Sequence, residues 1–559
     1  MGPTYFPPRA GAAIAARFRK EIPNADGKSM SHSTNRLSIS PGLIRYRTRR
    51  AFSIAARAIR SAIFVAAPIV GWAAAAIFLG AVVGMSAVIL PPTGAFAIPA
   101  IAALALLWAL PQLPAVPVRA VRALFPIVLV VDLCVPVYYA IAGTGLPWIS
   151  VRRIATFPLI LCISLVIAGS SEARAQIVRR LGGAKLVSTC AIGYLVIMAL
   201  SIFTSAAPPA SISYYVDAVL IWYVPFIAII YVTSDEHDLD NFIRTIAWCT
   251  VFISVCGVVE FFLERNIFVA ILPAPILDAL MENSPTFAAM ATTVVFRNGV
   301  YRAPSVFENS LSFGQFEAMV VPFGYYFLVH RPRASDRWLG LLVSVSGLLG
   351  IITSGARGAY VSILVATPAF VALWLMRTVR LKTRSLAPAL VSVAGVMGFT
   401  GLIILVFTWG RLYNRVIGSQ YGDQQSTQAR WDQWYMALPH ILANPLTGNG
   451  TGDGAQVVGY FTPGGTFPTL DSMPISILVD TGVPGLLFFY GALIFAIFLG
   501  VRKYLLDSSA RGAFAGGLSC SLIAFLVYSI VLTQVENFTL LFLFLGLTIA
   551  LLDRPPEKT

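Results

Sequence analysis

Charge is what this chain has least of. Only 12% of its 559 residues are Asp, Glu, Lys or Arg, while 57% are hydrophobic, and mean hydropathy is +0.78. Soluble domains carry about 25% charged residues, so composition alone selects a polytopic membrane protein. Histidine is rarer still: His32, His237, His330 and His440 complete the set. Six cysteines (Cys134, Cys162, Cys190, Cys249, Cys256 and Cys520) all fall inside apolar runs with no CxxC spacing. A disulfide framework and a protein zinc site are both excluded by that pattern. No motif that reads DNA or RNA is present, and no internal repeat is visible, which argues against a transporter built from inverted halves.

Long apolar runs are what the chain does have. Each crossing needs roughly 17–25 mostly apolar residues, and about fourteen segments qualify: 63–85, 94–111, 123–142, 154–170, 186–204, 213–233, 242–263, 310–329, 338–353, 358–376, 386–408, 474–500, 513–532 and 537–552. Basic residues set the orientation. Residues 1–60 hold twelve Lys/Arg against two acids and no apolar run, and read as a disordered cytoplasmic tail. Counting forward, Arg174, Arg179, Arg180, Arg331, Arg333, Arg337, Arg377 and Arg380 fall on the same inner side. Two loops dissent: Arg152 and Arg153 fall outside, and the inner SDEHDLDN stretch (234–241) is acidic. The net charge of +15 therefore reads as inner loops facing anionic headgroups, not as a nucleic-acid surface. Both chain ends are expected inside.

The expected organisation is a tail (1–60), an N-terminal membrane scaffold (61–263), an outward segment (264–309), a membrane core (310–409), a large outer loop (410–472), C-terminal membrane helices (473–552) and a short inner tail (553–559). Asp132 and Asp217 interrupt the scaffold, where an acid costs several kcal/mol unless paired or hydrated; they are expected to face a polar bundle interior.

Polar residues concentrate beyond residue 290. The outer loop is far longer than a connector requires, and its Trp, Tyr and Phe content argues against disorder. Between Leu339 and Met376 the only charge is Arg357, so the run is expected to fold back at Thr353-Ser354-Gly355 with Arg357 at the outer mouth. Its planar fork suits phosphate or carboxylate, with a lipid headgroup as the bland alternative. In ARWDQWYMALPHILANPLTGNG, Trp431, Trp434, Leu438 and Ile441 share helical spacing beside Arg430. The following glycines could bring backbone N–H groups to an anion. Asp471 ends the loop just before a span and Asp480 lies about two turns on; at a drying rim a carboxylate could take a hydroxyl proton, or act merely as a helix-start acid. RNGVYRAPSVFEN carries Arg302 and Glu308 to the same side. Cations near carboxylates suit a substrate whose leaving group is a pyrophosphate.

At these residues the chain resembles the O-antigen ligase and polymerase superfamily: RAPSVFENSLSFG (302–314), TSGARGA (353–359), RWDQW…NPLTGNG (430–450) and LDSMPISILVDTGVPGL (470–486) are similar to its conserved-order elements, over roughly 290–500. The resemblance implies an all-α, C-type glycosyltransferase-like fold in the bacterial inner membrane. It also implies metal- and cofactor-free transfer of glycan from undecaprenyl pyrophosphate at the periplasmic face. Arg357 and Arg430, assisted by Arg302, would hold the pyrophosphate, and Asp471 or Glu308 would activate the attacking hydroxyl. Ligases of the family usually carry a histidine where Asp471 stands, which tilts the expectation toward a repeat-unit polymerase over a ligase. Implied partners are the lipid-linked donor and acceptor glycans, membrane lipids and a chain-length regulator. A lipid-linked oligosaccharide flippase is the alternative from another class.

Overall fold

The computed structural model describes residues 116–141, 149–233, 236–283, 287–288, 291, 296–297, 299–381, 394, 421–461, 468–533 and 535–553. The expected tail 1–60, the spans 63–85, 94–111 and 386–408, the stretch 411–420 and residues 554–559 lie outside them. Within the described residues the chain is helical, with two two-residue hairpins, Ala140–Ile141 with Ile149–Ser150 and Phe296–Arg297 with Val300–Tyr301.

The main helices are α1 (Val118–Cys134), α2 (Val151–Gly169), α3 (Lys185–Ser201), α4 (Pro208–Val232), α5 (Glu236–Leu263), α6 (Ser310–His330), α7 (Ala334–Ser354), α8 (Arg357–Leu381), α9 (Tyr421–Ala443), α10 (Met473–Leu506), α11 (Ala510–Val531) and α12 (Phe538–Leu552). Nine helices among the described residues are long and apolar enough to cross a membrane: α2–α5, α7, α8, α10, α11 and the Val535–Leu552 segment containing α12. The chain is thus a multi-pass, all-α membrane protein. Two other expected spans differ. The run 123–142 is helical only to Cys134, because Pro136 disfavours helical geometry in Val135, and the chain then enters the first hairpin. The run 310–329 does form α6, but that helix is too polar to join the nine. Instead it is buried along nearly its whole length by α5, α7, α8 and α11.

Lipid supplies little hydrophobic drive between helices, so close packing and polar contacts must hold the bundle. Gly324 of α6 and Gly340 of α7 meet backbone to backbone: a methyl on either would come within 2.9 or 2.8 Å of the other's carbonyl oxygen. Buried Glu317 of α6 accepts from Ser254 Oγ of α5 at 2.7 Å. In α4 the helix widens into a π turn over Ala218–Tyr223, with the Val224 N–H reaching Val219 O. Pro225 explains it: its ring has no N–H and crowds the carbonyl four residues back, which a wider turn relieves.

Contacts among helix ends define two faces. At one, Arg331 pairs with Asp240, and Arg244 pairs with Asp240 and Asp336, both at 2.8 Å. Arg377 donates to Tyr504 O at 2.6 Å, and Arg180 meets Asp553 at 3.2 Å. Asp240 of the acidic SDEHDLDN stretch, anomalous in the sequence, is the partner of Arg331 and Arg244. At the other face lie the start of α6, the α7–α8 turn, the start of α10 and the end of α11.

Candidate active site

The α7–α8 turn forms where small residues cluster, as expected. Gly355 takes a left-handed conformation (φ +59°), which glycine adopts at little cost, and α8 starts at Arg357. The first arm has 21 residues because it begins at Ala334, longer than the sequence pattern suggests. Into this turn comes the 302–309 segment. Glu260 fixes it, accepting from Ser305 N at 2.6 Å and from Ile267 N at 2.9 Å, and Ala303 N donates to Thr353 O at 3.1 Å. Arg302, 8% exposed, then donates through Nε to Ser354 O at 2.9 Å. A methyl on Gly355 would sit 3.3 Å from that guanidinium's Nε, so glycine also makes room for Arg302.

Tyr528 of α11 gathers the rest. Its hydroxyl donates to Leu311 O at 2.6 Å, and its ring lies 3.1 Å from where a methyl on Gly358, next to Arg357, would stand. The charges of both Arg302 and Arg430 act on it. Arg430 arrives on α9, which buries Gln433, Ala437 and Ile441 while leaving Trp431 and Tyr435 outward; the exposed Trp431 is therefore not part of the packed stripe. Gln433 accepts from Asp471 N at 2.9 Å, and Ser472 Oγ donates to Ile530 O at 3.2 Å. Burial raises the Asp471 carboxyl above its ordinary pKa, opposed by Arg430 and Gln433. Arg302, Arg430, Asp471 and the turn bearing Arg357 thus share one end of the bundle.

Glu308 stands apart from Asp471. It lines a cavity of about 520 Å³ between α1, α2, α4 and the start of α12, with Arg152, Arg153, Asp132, Asp217 and Glu536. Its backbone N–H donates to Glu536 Oε1 at 3.1 Å. Enclosure by the cavity wall, then the neighbouring Glu536 charge, push the Glu308 carboxyl up to about 7, although the side chain faces the open cavity. Arg153 and Asp217 pair at 2.9 Å. Sequence reasoning assigned Glu308 but not its cavity neighbours to a site, yet four of them had left a signal. Arg152 and Arg153 broke the charge rule for sidedness, and Asp132 and Asp217 were acids inside apolar runs.

The glycine-rich turn after Asn444 is not an open cradle. Helix α10 breaks at Gly482 (φ 69°, ψ −170°), and the turn docks in the break. Asn449 N donates to Val479 O, Gly450 N to Asp480 O, and Val483 N to Pro445 O. Gly454 N donates to Asp480 Oδ1 at 2.7 Å, so Asp480 is a clip for this turn. Asp453 likewise accepts from Ser205 and Ser211. Among the described residues, no three His, Cys, Asp or Glu side chains group as metal ligands.

No curated protein matches the chain significantly. Residues 342–490, which include the α7–α8 turn, Arg430, the docked glycine turn and Asp471, match the family model described as O-Antigen ligase, and this supports a place for the stretch in the O-antigen ligase and polymerase superfamily.

Proposed function

We propose that the protein is a polysaccharide polymerase of the bacterial inner membrane, joining undecaprenyl-pyrophosphate-linked repeat units at the periplasmic face. The observation that carries this reading is the gathering of Arg302, Arg430 and the Arg357 turn around Tyr528, with Arg357 and Arg430 inside the stretch that matches the ligase family. Guanidiniums held at a partly dry helix-bundle end stabilise charge developing on a leaving pyrophosphate.

In the reaction, the sugar C1–O bond to the pyrophosphate breaks and the electron pair leaves with the lipid pyrophosphate, held by Arg357 and Arg430 with Arg302 behind them. The acceptor hydroxyl attacks C1 from the opposite face and inverts it, and its proton passes to a carboxylate. Glu308 suits that role better than Asp471, because a base works best with a pKa near the operating pH, whereas Asp471 stands beside Arg430 and orients it. The C-type glycosyltransferase-like fold and both termini inside belong to the same reading.

A ligase is the second reading, favoured by the family description itself; Asp471 in place of a histidine favours polymerisation. The experiment is chain extension by the purified protein in lipid vesicles supplied with one lipid-linked repeat unit. A ladder of longer products is expected, with Arg357→Ala and Arg430→Ala leaving single units. Transfer of one unit to a lipid A–core acceptor without a ladder selects the ligase. Wild-type ladders from both well-folded variants reject the assigned roles.

A further inference from the structure

The Glu308 cavity differs in chemistry from the arginine cluster. Four carboxylates line it (Asp132, Asp217, Glu308 and Glu536) against two guanidiniums, Arg152 and Arg153. Such a lining mixes acid acceptors with guanidinium donors, unlike the guanidinium cluster that suits phosphate. Two buried polar atoms remain without hydrogen-bond partners, Arg152 Nη2 and Glu536 Oε2. One is a donor and the other an acceptor, and leaving either unmatched costs about 1–3 kcal/mol. Sugar hydroxyls satisfy both kinds of atom, since each donates and accepts.

One wall is aromatic. Tyr214 and Trp222 meet edge to face with ring centroids 5.7 Å apart, on either side of the start of the π turn. Aromatic rings with polar groups opposite suit a pyranose ring, apolar on its face and polar at its edge. Phe157 also lines the cavity while 59% exposed, on the same stripe of α2 as exposed Ile154 and Leu161. The cavity therefore opens along a lipid-facing helix, so a lipid-anchored sugar can enter sideways.

We propose that this cavity is the acceptor subsite, binding a sugar ring that is uncharged or amino-bearing, and presenting its hydroxyl to Glu308. The inference rests on the glycosyl-transfer reading above and adds the acceptor's chemical class and place. Arg152 holds the sugar, while Arg357 and Arg430 hold only the donor phosphates.

The test is calorimetric titration of the full-length protein in lipid nanodiscs with two probes. One is the phosphate-free repeat-unit oligosaccharide cleaved from the producing cell's own surface polysaccharide; the other is inorganic pyrophosphate. Arg152→Gln is expected to weaken oligosaccharide binding about tenfold, the factor for one lost charge-assisted hydrogen bond. Asp217→Asn, on a more exposed pair, is expected to weaken it less, and both should leave pyrophosphate affinity within about twofold. Arg357→Ala should do the reverse. Oligosaccharide binding that is absent in the wild type, or unchanged in both cavity variants, overturns the proposal, as does loss of pyrophosphate binding in them. Failure of glycosyl transfer itself would appear separately, in the chain-extension assay.

Discussion

Asp471 and Glu308 both end an outward segment just ahead of a helix, and in sequence they are equivalent candidates for the base. Their neighbours separate them: Asp471 has Arg430 and Gln433, while Glu308 has another carboxylate. Like charge favours the protonated form, opposite charge the ionised one. If Glu308 accepts the hydroxyl proton it must first be ionised, so the transfer rate should fall as pH drops below about 7. Glu308→Gln should remove that limb of the pH profile and lower kcat by about 10²–10⁴. Asp471→Asn should keep the limb and instead raise KM for the lipid-pyrophosphate donor, through Arg430. A limb that survives in Glu308→Gln would assign the proton to another group. Arg357→Lys keeps the charge but loses the planar fork, and a drop in kcat/KM of about tenfold or more is expected. The arginines were legible because charge is so scarce here that each cation stands out. Their gathering at one end was expected as well; what was not legible is what holds them there, Glu260 and Tyr528, whose buried contacts leave no local pattern.

Among elements, α10 teaches the most. Asp480, Gly482 and Pro484 lie within five residues of one apolar run, a combination that marks a break but not what fills it. The glycines of NPLTGNGTG suggested N–H groups available to an anion; in the structure Gly448 N donates to Asn444 O, and Gly450 N and Gly454 N donate to Asp480. The partner lies about thirty residues downstream, beyond what turn chemistry can reveal. Irregular backbone at membrane depth survives only when other backbone satisfies it, so the dock has no slack. A methyl on Gly448 would stand 2.3 Å from Asp480 O, and one on Gly482 would stand 2.6 Å from Pro445 O, both at positive φ. Gly448→Ala and Gly482→Ala should each destabilise the protein by about 2 kcal/mol or more, seen as a lower melting temperature in detergent, with transfer activity lost although no charge has changed. A native melting curve in either variant would contradict the docked turn. Because the protein's own loop plugs the break, that break gives no support to a transporter.

Across the whole molecule, the two helix-end faces are chemically unlike. One is a lattice of arginine–carboxylate pairs around Asp240; the other brings Arg302, Arg430 and Asp471 together. The described helices fall where hydropathy put them, α6 included; hydropathy did not show that α6 is wrapped by protein along nearly its whole length, or that Pro136 turns the chain after Cys134. Asp240, in the acidic exception at 234–241, proves to be a counter-charge for Arg244 and Arg331. Asp240→Asn leaves Arg331 and Arg244 each short of a partner, so a loss of about 1–3 kcal/mol is expected, measured by denaturant unfolding in micelles. Chain extension by the protein that remains folded should be unchanged. Reduced extension at full folding would show that the two faces communicate.

The plugged break in α10 also sets an order of assembly. A ribosome delivers residues 445–450 before 479–483, so the turn is made while its socket is still unmade. Until α10 inserts, its glycine N–H groups have only water or a chaperone to bind. Any chain interrupted before residue 483 would therefore carry this turn, and the helix bearing Arg430, without the socket that the finished chain provides.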